Sequence, residues 1–144
     1  LVRYFACDEK SGTFPLTVFR VGERNIASSL TSLSPDQRLV KDYKSLINEA
    51  YEIDVKVETL SDIIQNKVNN TVFEKIKKID FISIDTEGTE LNVLKGLDFS
   101  LYDVTLLVVE NNYNDKKIED FMISKGYQKN MRYKINDFYI KDTK

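Results

Sequence analysis

Two apolar runs that each stop at a carboxylate set the frame for this chain: Ile79-Asp80-Phe81-Ile82-Ser83-Ile84 ends in Asp85, and Val104-Thr105-Leu106-Leu107-Val108-Val109 ends in Glu110. Short, nearly continuous runs of this kind read as strands covered on both faces. Between them Thr86-Glu87-Gly88 is a turn, and Thr89 to Lys95 is a helix that directs Leu91, Val93 and Leu94 inward and stops at Gly96. After the second run, Asp115 to Lys125 is a further helix, with Ile118, Phe121 and Met122 on one face and Gly126 as its stop. The tail from Tyr127 to Lys141 reads as two strands around a turn at Asn136-Asp137. Strand, helix, strand, helix, strand predicts an α/β fold built from βαβ units, with a mostly parallel sheet and an antiparallel end supplied by the tail hairpin.

The first half is less regular. Leu1 to Ala6 and Thr13 to Val21 are β-rich, and turn chemistry from Cys7 to Gly12 joins them as a hairpin or strand pair. Asn25 to Leu33 reads as loop. Ser34-Pro35-Asp36-Gln37 then supplies a cap, a proline at the first helical position and a Gln three residues past the cap, which predicts a helix from Pro35 to Asn48. Ile53 to Val57 alternates with period two and is a strand with one wet face; Thr59 caps a helix from Leu60 to Lys67. Asn69-Asn70-Thr71 is a loop that matches a glycosylation sequon by chance, and a short helix from Val72 to Lys78 leads into the first apolar run.

Composition narrows the chemistry. At 144 residues the chain fits a single domain with a sizeable core. A net charge of -2, with both signs interspersed, offers no basic stripe for a nucleic acid. The absence of histidine removes every His-based triad, the usual general base and the commonest zinc ligand, and the one cysteine, Cys7, forms no internal disulfide. The apolar runs fall far short of the roughly twenty residues of a membrane-spanning helix, and no signal-peptide pattern is read. A cytoplasmic chain with no membrane or nucleic-acid partner is expected. Leu1 is not an initiator Met and the opening reads as the middle of a strand, so the chain is read as a fragment.

In open α/β sheets ligands bind at the carboxyl ends of the strands, which places the site at Asp85 and Glu110. Glu87 and Glu90 lie close by, with Glu87 beside a helix start where an anion is favoured. Such a cluster can coordinate Mg²⁺, hold substrate or ribose hydroxyls, or act as a general base. Glu87 and Glu90 read equally well as caps and solvated surface, Asn111 and Asn112 as polar groups serving the site beside Glu110, and Lys95 as a last-turn cation.

The stretch from Ile79 to Leu97, with Ile84-Asp85-Thr86-Glu87-Gly88-Thr89-Glu90 and Leu94-Lys95-Gly96 inside it, resembles the most diagnostic segment of the FkbM-type methyltransferases. Ala6 to Gly12 with Phe14, Ala27-Ser28-Ser29-Leu30, Val57-Glu58-Thr59-Leu60 and Leu107-Val108-Val109-Glu110 match the same family in the same order, over about residues 1 to 112. The resemblance implies a class I (Rossmann-like) methyltransferase fold, S-adenosylmethionine as cofactor, and O-methylation of a hydroxyl on a small-molecule or glycan acceptor such as a sugar or natural product. Ser83 stands where the family often has Lys. The family's Asp-x-Gly-x-Asn-x-Gly cofactor loop and the acidic strand end after it have no counterpart in this sequence. The chain is therefore expected to be one partial domain over residues 1–144, lacking the first βαβ unit and inactive when isolated.

With no histidine, a carboxylate or a metal-bound hydroxyl must take the acceptor's proton. Asp85 is the first candidate, as base or Mg²⁺ ligand; Glu87 is the second, and Glu110 is expected to orient the substrate. The resemblance does not require a metal. Two other readings are open at this point: Asp85-Thr86-Glu87-Gly88-Thr89 is one substitution from the Asp-x-Asp-Gly-Thr of haloacid-dehalogenase-like phosphatases, and Tyr113, Tyr127, Tyr133 and Tyr139 would serve a non-catalytic binding module as a recognition face.

Overall fold

A computed structural model describes residues 6–22, 26–27, 30–68 and 75–142. The expected elements over Leu1–Phe5, the Ser28-Ser29 pair, the Asn69-Asn70-Thr71 loop and positions 72–74 of the expected short helix lie outside the described residues.

The second half follows the sequence closely. Strand β5 (Lys78–Ile84), helix α3 (Glu90–Lys95), strand β6 (Asp103–Glu110), helix α4 (Lys116–Ser124) and the hairpin β7 (Tyr127–Tyr133) and β8 (Asn136–Lys141) form in that order. The sheet runs β5-β6-β8-β7, with β5 and β6 parallel and β8 antiparallel to both of its neighbours. Val104, Leu107 and Val109 of β6, Val93 and Leu94 of α3, Ile118 and Met122 of α4, and Tyr127 and Tyr139 of the hairpin share one buried core. Strand β6 is bonded on both edges and is buried from Leu107 to Glu110. Strand β5 does not match the expectation of full cover: it stands at the sheet edge among the described residues, and Phe81 is 55% exposed. The tail turn also moves. Lys134-Ile135 makes it, with Lys134 at φ 55, and Asn136-Asp137 belongs to β8. Turn-prone residues yield here to a strand that bonds on both sides.

The first half corrects the expected topology. Strands β1 (Ala6–Cys7), β2 (Gly12–Val21), β3 (Ile26–Ala27) and β4 (Ile47–Glu58) form a second sheet in the order β1-β4-β2-β3. Strand β1 pairs in parallel with β4 rather than making a hairpin with β2, and β2 runs antiparallel to β4 from Gly12 opposite Val57 to Val21 opposite Ile47. Among the described residues the fold is mixed α/β with two sheets: in the second, β5, β6 and β7 run one way and β8 the other, with the expected antiparallel hairpin at its end, whereas the first is mostly antiparallel, with β1/β4 its parallel pair. Helix α1 spans only Gln37–Asp42, capped by Asp36, whose carboxylate accepts from the Arg38 amide at 2.8 Å, rather than by Ser34. A 3₁₀ turn, Lys44–Leu46, follows, and Ile47-Asn48, expected at the helix end, is strand instead. Long antiparallel pairing outweighs a weak local helix preference. Helix α2 (Leu60–Ile63), capped by Thr59 at the Asp62 amide, continues as a π turn to Val68, and Lys75–Lys77 is not helical.

The two halves meet around α3. A Cβ on Gly96 would lie 2.5 Å from the Asp8 carbonyl oxygen, so this glycine lets the β1–β2 turn close on the helix end; its φ of -74 shows that close approach, not a left-handed stop, is the constraint. Lys95 ion-pairs with Glu9 across the same junction at 3.7 Å. Among the described residues no helix is long and apolar enough to cross a membrane.

Candidate functional site

The parallel register that sets Ile84 beside Val109 brings the residues that follow, Asp85 and Glu110, to one edge of the sheet. The turn after Asp85 then folds back over that edge. Glu90, 7% exposed, accepts three bonds on its Oε1: from the Thr86 amide at 2.9 Å, the Thr86 hydroxyl at 3.1 Å and the Gly88 amide at 3.1 Å. Buried Ser32 donates to the Thr86 carbonyl at 3.1 Å. Glu87 and Gly88 both take positive φ, 56 and 117. Left-handed backbone is costly for a non-glycine residue and persists only where its surroundings enforce it. The result is that Asp85, Glu87 and Glu110 each present a carboxylate oxygen, and these oxygens all lie within 4.8 Å of one another. Of the two glutamates in the turn, Glu90 is the staple and Glu87 the group it positions.

Gly88 is the most constrained point of this turn. A Cβ there would sit 2.7 Å from the Asp36 amide nitrogen, and its φ of 117 disfavours any L side chain. Gly88→Ala is expected to cost about 3 kcal/mol through clash and backbone strain together. Urea denaturation measures it, and a loss below about 1 kcal/mol would show that the turn relaxes freely.

The three carboxylates differ in setting. Asp85 is exposed and Glu87 half-buried, whereas Glu110 is 5% exposed. Burial first, then the negative charges of Asp85, Glu87 and Glu90, and then a hydrogen bond with Asp85 push the Glu110 carboxyl up to about 7. As two carboxylates that contact has no donor, and Glu110 Oε2 is sealed from solvent without a hydrogen-bond partner. A proton or a cation between these groups resolves the conflict.

Two clefts converge on the cluster. One, of about 350 Å³, is lined by Asp85 and Thr86 with Cys7, Leu16, Leu60 and Ile82. Burial and the charges of Glu58 and Asp8 push the Cys7 thiol up, which disfavours a thiolate nucleophile there. The other, of about 360 Å³, is lined by Glu87, Glu110 and Asn112 together with apolar side chains that include Val21, Leu30 and Leu39.

The remaining sequence candidates divide. Asn112 lines the second cleft together with Glu110. Asn111 is structural: its amide donates to Asp137 Oδ2 at 2.9 Å and to the Asp115 carbonyl at 3.2 Å, and its Oδ1 accepts from the Asp115 amide at 2.7 Å. Tyr127 and Tyr139 are core residues, and Tyr113 donates to Asp42 at 2.7 Å beneath the Arg38 guanidinium, 4.0 Å away; only Tyr133 is broadly exposed. The proposed tyrosine recognition face does not form. Sequence reading missed Arg38, which bridges Asp36 and Asp115 and so ties α1 to the start of α4. No local spacing signals a contact between residues 77 apart.

An α/β chain whose parallel strand pair ends in acidic side chains, with clefts on either hand, has the form of a ligand-binding enzyme domain. This chain belongs to the FkbM methyltransferase family: the family model described as "Methyltransferase FkbM domain" matches residues 5–129. It is similar to "Methyltransferase sdnD" of Sordaria araneosa, with 27% identity over 128 residues that cover 81% of this chain and 49% of that protein. It is also similar to "Methyltransferase 1" of Beauveria bassiana (strain ARSEF 2860), with 34% identity over 59 residues that cover 41% of this chain and 21% of that protein. The chain thus spans about half the length of the first relative and about a fifth of the second. No solved structure matches it significantly. The phosphatase reading of the Asp85 to Thr89 segment gives way to the family match, which includes that segment.

Proposed function

We propose that this chain carries the acceptor-facing part of an S-adenosylmethionine-dependent O-methyltransferase site and is one partial domain of class I methyltransferase type. The sheet order β5-β6-β8-β7, with a reversed strand inserted beside a parallel pair, supports that fold. The observation that carries the functional reading is the convergence of two clefts on Asp85, Glu87 and Glu110.

The cleft beside β5 fits one end of the cofactor. Apolar walls at Leu16, Leu60 and Ile82 suit a thioether chain, and the exposed Asp85 carboxylate complements a sulfonium charge. The sequence supplies no Asp-x-Gly-x-Asn-x-Gly cradle, so this chain holds the cofactor only in part, and the isolated chain is inactive on this account. When bound, S-adenosylmethionine supplies an electrophilic methyl group that an oxygen displaces in line, the bonding pair returning to sulfur.

The second cleft receives the acceptor. Its apolar wall favours a hydroxyl carried on a largely hydrophobic skeleton over a bare sugar. Glu110 receives the hydroxyl proton as the new carbon–oxygen bond forms, and its raised affinity for a proton, near neutral pH, matches that task. Glu87 and Asn112 hold the acceptor by hydrogen bonds, and Leu30 and Leu39 contact its apolar part.

The reading is tested with the full-length gene product and methyl-labelled S-adenosylmethionine, offered hydroxylated apolar compounds and free sugars in parallel. Label on an acceptor oxygen is expected, with the apolar compounds favoured; label on nitrogen or carbon would overturn it.

A further inference from the structure

We infer that Asp85, Glu87 and Glu110 together form a binding site for a hard divalent cation of the Mg²⁺ and Mn²⁺ class. One carboxylate oxygen from each lies within 4.8 Å of those of the other two. A six-coordinate cation with metal–oxygen distances of about 2.1 Å holds neighbouring oxygens about 3 Å apart and opposite ones about 4.2 Å apart, so a small contraction suffices. The donors are all oxygen, and the chain contains no histidine, which favours this class over zinc or copper.

An acidic cluster alone would be ordinary surface. The observation that points to a ligand is Glu110, 5% exposed, whose Oε2 is sealed within the protein and has no hydrogen-bond partner. An ionised oxygen in that position carries a desolvation cost that nothing among the described residues offsets by hydrogen bonding. A cation offsets it and at once relieves the repulsion among three like charges. The exposed Asp85 leaves an entry path, and three protein ligands leave the remaining positions to water or to an acceptor hydroxyl in the cleft that Glu87 and Glu110 line. Cation binding stands on this geometry; with the cation bound, Glu110 would serve as ligand rather than as the proton acceptor, and the cation would orient and acidify the acceptor hydroxyl, a use that rests on the methyltransferase reading.

Isothermal titration of the chain with Mn²⁺ tests the binding directly, with no methyl transfer required. One site per chain is expected, displaced by Mg²⁺. Asp85→Asn and Glu110→Gln should each weaken it at least tenfold, and Asp120→Asn, on the exposed face of α4, should leave it unchanged. Mn²⁺ should also raise the melting temperature of the wild type and leave that of Glu110→Gln unmoved, which separates lost binding from lost folding. No heat with millimolar Mn²⁺, or equal binding by wild type and Glu110→Gln, would overturn the inference. So would a carboxyl proton shared by Asp85 and Glu110, seen by infrared spectroscopy, that persists in excess Mn²⁺. Binding without any effect of the metal on methyl transfer would retain the site and contradict only its catalytic use.

Discussion

Asp137→Ala is expected to destabilise the chain by about 3–5 kcal/mol, a large share of the total stability of a domain this size. Asp137 is fully buried. Its carboxylate accepts from Arg132 Nη1 at 2.8 Å and Asn111 Nδ2 at 2.9 Å, with the Lys129 ammonium at 3.5 Å. Removing it takes the buried anion from two partly exposed cations, although Lys129 keeps Glu119 at 2.9 Å and Arg132 keeps the Asn111 carbonyl at 2.7 Å. It also leaves the Asn111 amide short of an acceptor inside the protein. Asp137→Asn keeps an acceptor oxygen without the charge and should lose less. The damage would reach the site, because Asn111 adjoins Glu110 and fixes the first turn of α4 through Asp115. Urea unfolding measures both variants; a loss below about 1 kcal/mol in Asp137→Ala would show that Arg132 and Lys129 find other partners.

Glu110→Gln is expected to act in the opposite sense on stability and to abolish most of the activity. In the metal-free protein the Glu110 carboxyl is raised to about 7, so the folded state holds its proton more tightly than the unfolded chain does. The stability this confers is fully present below the ordinary carboxylate value and is lost as pH rises through about 7. Above that range wild type buries a charge beside two others, and the glutamine variant does not. At pH 8 the variant should therefore be more stable by roughly 1–3 kcal/mol, with the gain vanishing toward pH 4. Asp36 and Asp115, held low chiefly by Arg38, lose their contributions as pH falls through the acid range in both proteins and cancel in the comparison. A variant that is more stable yet much less active is the signature of a residue kept for chemistry.

The β5-α3-β6-α4 segment was legible because its apolar runs are short, unbroken and followed by helices with clear stops. Asp85 and Glu110 were legible for the same reason, each being the first polar residue after a buried run. Glu87 and Glu90 could not be told apart, since the difference lies in a turn whose positive φ values send one carboxylate to backbone amides and the other across the sheet edge. Asn136-Asp137 misled because turn composition is a local signal, whereas the partners of Asp137 come from β7 and from the end of β6. In the first half, β4 recruits residues that locally favour helix, and β1 finds its partner some fifty residues away rather than across the nearest turn. Pairings of that range leave no mark in local periodicity.

Methyl transfer by the full-length protein carrying Glu110→Gln, measured in single turnover with labelled S-adenosylmethionine, tests the account most directly. The rate should fall roughly 10²–10⁴-fold, the usual worth of a positioned proton acceptor. Asp85→Asn should cause a comparable loss, and the double variant should lose little more than either alone, because the two carboxylates act as one unit. A Glu110→Gln enzyme that transfers methyl groups within twofold of wild type would contradict the assignment of the chemistry to this cluster.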